Sequence, residues 1–531
     1  MNYLEEFFQR YEFRLEMKQI YWFLFFVILG LGVFARTWEF RSLPPGLNPD
    51  EASIGVDASS LLHFGVDRNG ISFPVQFISW GSGQNALYGY LLIPLISLFG
   101  LTPFTVRLPM LITGILTIPL AYYAAKETLN KDFALLAMLF LAISPWHILL
   151  SRWGLEANLF PFVFLAGYVC LLNIKKNDLW FIPACILIGL SFYAYGTAYA
   201  MIPVFMICTV TIFIRQKLLT PKSFIIGLFA FMALAIPMGL FVLVNSFKMN
   251  SIQLGPVTIP RLPVQARFEA TTIFSAADQI QTIGNNLWVA VQLLITQSDG
   301  LPYNSVDPYG YFYKITFPFE LIGIVLLVIG LKSQQHMENK LLLSWIGASI
   351  LIAIIQPVNI NRFNIIFIPL ILCIALAIYW MSTRYKTILF VSVLGLLAGF
   401  ICFTISYHGK AYRQQVNLEF HDGILPALTF AQGLGNMPIC VSDNSNPYIF
   451  ALFSEPTNPI DYLNTVKYVN PKGPVRVVRS FGRYTFGWNN CHESPAPIYI
   501  LIAGSAPPSE PSGYQYDVKS FDSYVVYYPA R

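Results

Sequence analysis

Apolar residues run through this chain in repeated blocks, parted by short polar stretches, from Tyr21 to Ser406. Each block approaches the roughly 20 residues that an α-helix needs to cross a bilayer. They predict spans near 21–37, 107–125, 133–150, 159–174, 180–195, 198–214, 223–243, 315–331, 341–356, 363–380 and 387–406. Alternate loops between them carry Lys126 and Lys131, Lys175 and Lys176, Arg215, Lys217 and Lys222, Lys332 and Lys340, and Arg384 and Lys386. Short basic loops face the cytoplasm. The N-terminus is therefore expected inside and, with an odd number of spans, the chain beyond 406 outside. The apolar stretch 87–101 is shorter and contains Pro94. Counting it as a crossing would move every later basic loop outside, so it is read as a helix lying on or re-entering the outer face. A twelfth span is the alternative.

After Ser406 polar residues, Pro and Gly return. Strand-like runs at 437–441, 475–478, 498–502 and 524–528 between helix-like pieces predict a small α/β unit. The expected architecture is an α-helical polytopic membrane protein of about 11 transmembrane helices over residues 1–406, with outer loops 38–106 and 244–314. A small extracytoplasmic α/β domain over 407–531 follows. Composition agrees: 55% of the 531 residues are hydrophobic and only 11% charged, against roughly 25% charged in soluble domains. That excludes a soluble enzyme on a single anchor. The net charge of +5 is spread over short loops, which argues against nucleic acid as a partner. The N-terminal stretch with Glu5, Glu6, Arg10, Arg14 and Lys18 is too long and too acidic for a signal peptide. Five of the seven cysteines lie in apolar runs, where thiols pack like small hydrophobes. The other two, Cys440 and Cys491, can form one disulfide if the tail lies outside the cytoplasm; two free thiols are the equal alternative.

The expected inner loops are too short for a nucleotide-binding α/β unit. HExxH, CxxC, GxSxG and a Walker lysine are all missing from the sequence, and with them hydrolytic zinc, a serine nucleophile and ATP-driven steps. Gly81-Ser82-Gly83-Gln84-Asn85-Ala86 mimics a glycine loop but opens no βαβ unit. An activated substrate must arrive ready-made.

The outer stretches hold the candidate chemistry. Asp50 and Glu51 follow Pro44-Pro45-Gly46-Leu47-Asn48-Pro49 and open a helix, either as functional acids or as capping residues at its positive end. Arg152 and Glu156 lie four apart around Gly154. They form either an intrahelical ion pair or, since charges at membrane depth are costly, part of a functional path. Arg362, in the turn Gln356-Pro357-Val358-Asn359-Ile360-Asn361, suits an anion through its planar fork; an arginine that snorkels to headgroups is the alternative. The segment 244–314, with Arg261, Arg267 and an amphipathic stretch near 285–296, reads as a lid or interfacial helix, or as an ordinary structured loop.

Taken in order, Asp50-Glu51, then Leu98-Phe99-Gly100 before Arg107-Leu108-Pro109, then Ile143-Ser144-Pro145 with Arg152, give a chain that resembles the GT-C superfamily of polyprenyl-phosphate-sugar-dependent glycosyltransferases. The likeness is greatest to the protein O-mannosyltransferase and aminoarabinose-transferase relatives and covers roughly residues 20–400 as an architecture. It implies transfer of a sugar from a polyprenyl-phosphate donor to an extracytoplasmic hydroxyl of an unknown glycan, lipid or protein, with inversion. Asp50 would be the general base and Glu51 its assistant; Arg152, Glu156 and Arg362 would bind substrate. Some relatives hold a divalent metal between the first- and second-loop acids, here Asp50 and Glu156, and others hold none. Where the aminoarabinose transferases have Lys-Pro-Pro, this chain has Gln84-Asn85-Ala86, which disfavours a lipid A acceptor. The sequence has no Asn-x-Ser/Thr acceptor, which favours a prokaryotic plasma membrane. A transporter or flippase of lipid-linked sugars is the rival reading, and a silent scaffold a third.

Overall fold

The computed structural model describes residues 2–264, 272–330, 337–443, 446–471, 473, 475–493, 497–505 and 515–530. Arg267 and Lys332 lie outside them. Helix α1 (Asn2–Thr37) leads into a long loop holding α2 (Pro49–Phe64), a hairpin of β1 (Gln76–Ser79) and β2 (Ser82–Asn85), and α3 (Leu87–Phe99). Then come α4 (Pro103–Thr128), α5 (Lys131–Ile143), α6 (Pro145–Leu150), α7 (Glu156–Leu172), α8 (Phe181–Leu190), α9 (Ala198–Arg215) and α10 (Pro221–Ser246). A second long loop carries β3 (Ile252–Leu254), β4 (Val257–Ile259) and α11 (Gln279–Thr296). The helical part closes with α12 (Phe317–Gly330), α13 (Met337–Ile355), α14 (Phe367–Ser382) and α15 (Lys386–Tyr407).

Among the described residues eight helices are long and apolar enough to cross a membrane. The other three expected spans differ. The run 133–150 is two helices, because Pro145 cannot continue α5 and instead opens α6 at its first position. The run 180–195 is helical only over Asp178–Tyr193, and α12 has 14 residues. Helix α3, with 13 residues, rises about 20 Å, short of the about 30 Å hydrocarbon core; it packs between α2 and α4. In α11, Ile280, Trp288, Val291 and Ile295 are exposed on one face, as an interfacial helix requires.

The basic loops meet at one end of the helical layer. Lys175 pairs with Glu338 at 2.5 Å and Lys176 with Glu127 at 2.8 Å. Asn130 reaches the Tyr379 hydroxyl at 2.8 Å, and Thr220 the Asp178 carboxylate at 2.6 Å. The opposite end holds two buried arginines that no carboxylate faces directly. Arg36 donates to the Gly32, Ala142 and Leu141 carbonyls at 2.8–3.1 Å. Arg152 donates to the carbonyls of Leu43, Ala35, Arg36 and Trp38. Most of these oxygens lie near or beyond the C-terminal ends of α1 and α5, where helices leave unpaired carbonyls and partial negative charge. The cations are thereby solvated by backbone. Outward, α10 and α15 expose Ile225, Phe229, Ile236, Phe390, Ile401 and Ile405, surface suited to hydrocarbon.

The C-terminal part is a seven-stranded mixed sheet. Its strands are β5 (Ile439–Val441), β6 (Lys467–Tyr468), β7 (Val478–Phe481), β8 (Tyr484–Phe486), β9 (Ile498–Ile502), β10 (Tyr516–Phe521) and β11 (Tyr524–Pro529), ordered β10-β11-β9-β5-β8-β7-β6. Only the pairs of β5 with β8 and β9 are parallel. The expected strands at 437–441, 498–502 and 524–528 are present, whereas 475–478 joins the sheet only at Val478. Strands β6 and β8 are too short to show an alternation. Helix α16 (Ile424–Gly433) packs on this sheet, and α17 (Tyr448–Ser454) lies against α2.

The two parts are strapped together at Pro44-Pro45-Gly46-Leu47-Asn48. The Leu47 N–H donates to Phe420 O, and the Asn48 amide to Glu419 O at 3.2 Å. Gly46 has φ +56°, and a Cβ there would strike the Phe420 carbonyl, so only glycine fits. Cys440 and Cys491 are joined as a disulfide that closes a sequence separation of 51 residues. Replacing both with serine should lower the stability of the C-terminal sheet by about 2–5 kcal/mol, read as a drop in the urea midpoint for protease resistance of this part.

Candidate functional site

The start of α2 decides where the first-loop acids point. Asn48 is the N-cap, its side chain accepting the Asp50 N–H at 2.9 Å, with Pro49 at the first helical position. Glu51 completes the capping box by accepting the Asn48 N–H at 3.0 Å. Asp50 is thus not the cap. Its Oδ1 accepts the Trp80 indole N–H at 3.0 Å, and the residue lines a cavity.

Glu51 does not reach that cavity. It is fully buried, and Arg107 grips it with Nε on Oε1 at 2.8 Å and Nη2 on Oε2 at 2.9 Å. The Gly154 N–H adds a bond to Oε1 at 2.7 Å. A Cβ on Gly154 would crowd the Tyr88 hydroxyl and Val106 O at 2.9 and 3.0 Å. Arg107 also donates to Pro44 O and Gly46 O at 2.7 and 2.9 Å. Glu51 is therefore held as the hub of the loop. Arg152 is equally remote from the cavity, spent on the carbonyls described above. It makes no pair with Glu156, because the chain from Ser151 to Leu155 turns and α7 begins only at Glu156.

Asp50, Glu156 and Arg362 do converge. All three line one polar cavity of about 280 Å³ beneath α2, β2, α7 and the turn 356–362. Gln84 sits behind it: its Oε1 accepts from Ser53 at 2.9 Å, and its Nε2 donates to Glu156 Oε2 at 3.3 Å. Asn359 caps the turn by accepting the Arg362 N–H at 2.8 Å, and Arg362 Nη1 reaches Pro357 O at 3.1 Å. On one side the cavity adjoins an apolar one of about 690 Å³, the two sharing Gly196, Thr197, Tyr199 and Gln356 as lining. Val242, Ile352 and Ile355 wall the larger space.

This arrangement has relatives of known shape. ArnT of Cupriavidus metallidurans, solved bound to undecaprenyl phosphate, matches 95% of this chain and 97% of its own at 12% identity, TM-score 0.56. The archaeal oligosaccharyltransferase AglB of Archaeoglobus fulgidus, solved with an inhibitory peptide and a dolichol-phosphate, matches 92% of this chain and 70% of its own at 12% identity, TM-score 0.52. The chain has the GT-C fold. The family described as dolichyl-phosphate-mannose-protein mannosyltransferase matches residues 86–241. The mannosyltransferase-like YycA of Bacillus subtilis is 29% identical over 113 residues, which are 21% of this chain and 16% of that protein.

Within this GT-C frame the cavity also holds residues that the sequence reading passed over. Gln76, Asn85, Tyr199 and Tyr303 are among them. Asn85 donates to Phe192 O at 3.2 Å, and Tyr199 to Gln76 Oε1 at 3.1 Å. The dismissed Gly81–Ala86 segment contributes Gly83 and Asn85 as the wall formed by β2; three polar residues in one short stretch, Ser82, Gln84 and Asn85, were the available signal. Burial pushes the Tyr303 phenol up to about 12, so it stays a neutral donor. For a divalent metal, no group of three His, Cys, Asp or Glu side chains gathers among the described residues. Asp50 and Glu156 share the cavity, and two carboxylates with substrate phosphate oxygens form the donor set that Mg²⁺ commonly takes.

Behind Asp50 lies a second carboxylate group. Arg68 faces Asp57 at 3.3 Å, and Asp67 takes the Asn69 and Ile71 N–H groups at 2.8 and 2.9 Å. Burial of two acids beside one guanidinium raises both carboxyls above the ordinary aspartate range. A raised native value means this contribution to stability is complete at low pH and is lost as pH rises from about 3.9 toward neutrality. Asp67→Asn should flatten that loss, compared with wild type by thermal melting across the range. Glu51→Gln should leave Arg107 buried without its charge partner and lower stability by roughly 3–5 kcal/mol, with residual activity tracking the folded fraction in the same melts.

Proposed function

We propose that this chain is a membrane glycosyltransferase that moves a sugar from a polyprenyl-phosphate carrier to an extracytoplasmic hydroxyl with inversion. The observation that carries the reading is the junction of a polar cavity containing Asp50, Glu156 and Arg362 with an apolar one large enough for isoprenoid units. A lipid-linked sugar has that division of chemistry: a polar head at the reacting end and a tail that stays in hydrocarbon. ArnT was solved bound to undecaprenyl phosphate and AglB with a dolichol-phosphate, which supports the same donor class here. The basic loops gathered at the far end of the helical layer support a cytoplasmic face there. The cavity and the disulfide-bearing sheet would then lie on the outer face of a prokaryotic plasma membrane.

In the proposed reaction the acceptor O–H gives its proton to the free oxygen of Asp50 as its oxygen attacks the anomeric carbon. The bond from that carbon to the phosphate oxygen breaks, and polyprenyl phosphate leaves with the electron pair. One general base suffices, because a single displacement needs no carboxylate nucleophile. Arg362 meets the phosphate with a charge-assisted fork. Glu156, steadied by Gln84, accepts from sugar hydroxyls. If a divalent ion takes part, Asp50 and Glu156 would hold it, and it would neutralise phosphate charge.

Release of polyprenyl phosphate from a panel of labelled polyprenyl-phosphate monosaccharides, in liposomes with native membrane extract as acceptor, tests this. Wild type should release the carrier, and Asp50→Asn should slow release by about 10²–10⁴-fold with its melting temperature retained. Equal release by both proteins would remove Asp50 as the base. Arg362→Met should raise the donor KM about tenfold in the same assay, the lower end for a lost charged hydrogen bond.

A further inference from the structure

The turn between β1 and β2 ties the proposed base to the C-terminal sheet. Trp80 occupies it in the left-handed region, φ 53°, which a bulky side chain adopts only where its surroundings hold it. Three contacts hold it here. Its carbonyl accepts the Arg476 N–H at 2.9 Å. Its ring stands edge-on to Tyr448, with centroids 5.9 Å apart. The Arg68 guanidinium lies 5.8 Å over the ring, anchored to Ser53 O and Ile78 O at 3.0 and 3.2 Å. Tyr448 and Arg476 both belong to the C-terminal part. Trp80 is buried, and its indole N–H, a donor with no acceptor role, meets Asp50 Oδ1.

We propose that Trp80 is a positioning residue: it pins one oxygen of Asp50 so that the other faces the acceptor, and the C-terminal sheet sets the aim by clamping the turn. This rests on the reading of Asp50 as the base. A carboxylate free to rotate presents either oxygen in many directions; one fixed by a buried donor presents a single oxygen along one line. The C-terminal part is then a component of the active site, although none of its described side chains lines the cavity.

Trp80→Phe keeps a ring for Tyr448 and Arg68 and removes the donor together with part of the buried indole. It should lower kcat about tenfold, the lower end for a hydrogen bond to a charged group, with the donor KM within about twofold of wild type. Incorporating 3-benzothienylalanine at position 80, which replaces the N–H by sulfur in the same shape, should reproduce both effects if Trp80→Phe folds poorly.

A readout free of substrate is the indole N–H resonance of Trp80 in ¹⁵N-tryptophan-labelled full-length protein. It should move in Asp50→Asn, where the acceptor of this hydrogen bond loses its charge. An unchanged kcat in Trp80→Phe, or an indole resonance indifferent to Asp50→Asn, would overturn the positioning role. Full activity of Asp50→Asn would instead overturn the base assignment, and the positioning role with it.

Discussion

The buried pair of Arg107 and Glu51 is the constraint on which the rest of the site depends. Both side chains are nearly withdrawn from solvent, and the fork fit supplies two charge-assisted bonds at 2.8 and 2.9 Å. The remaining capacity of each group is then spent on fixing backbone. Glu51 takes the N–H groups of Asn48 and Gly154, and Arg107 the carbonyls of Pro44 and Gly46. One pair thereby joins the lead-in to α2, the first turn of α4 and the approach to α7. A buried ion pair adds little net stability over an apolar replacement. What it contributes here is position: the neighbouring Asp50 has one place to be.

A second device lets cations sit at the end of an otherwise apolar layer. Arg36 and Arg152 are fully buried and meet chiefly carbonyl oxygens. Helix C-terminal regions supply those oxygens in clusters, with the negative end of the backbone dipoles behind them. Arg152 therefore works as a clasp between α6 and the end of α1. The ring of Tyr407, 5.4 Å away, covers its face.

The cavity follows from these constraints. The α2 start, β2, the α7 start and the 356–362 turn each bring polar side chains to one point, while Val242, Ile352 and Ile355 make the neighbouring space largely apolar. A polar chamber of about 280 Å³ thus adjoins an apolar one of about 690 Å³, with Thr197, Tyr199 and Gln356 in the wall they share. A molecule with a polar head and an apolar tail matches that division, and burying the tail is favourable.

Much of the architecture was legible in one dimension, because a helix that crosses hydrocarbon must be apolar along its length and short basic loops mark its ends. The runs from Tyr21 to Ser406 became helices, and 133–150 split where Pro145 forbids continuity. Asp50 was visible because two acids follow a rigid Pro-rich lead-in. Their division of labour was not. Adjacent residues on a helix point about 100° apart, and only the position of Arg107, 56 residues on, decides which one is buried. Arg152 and Glu156 looked like a pair at helical spacing, yet the turn before α7 sends one to the end of α1 and the other to the cavity. Trp80 and Tyr199 carried no local signal, since their meaning lies in partners 30 to 123 residues away. Sequence by itself determined which segments are apolar, which loops are basic and which acids open α2, because these are properties of neighbours along the chain. Only the tertiary structure decided which charges are spent on holding backbone and which are left facing a cavity, because that depends on contacts between segments far apart in sequence.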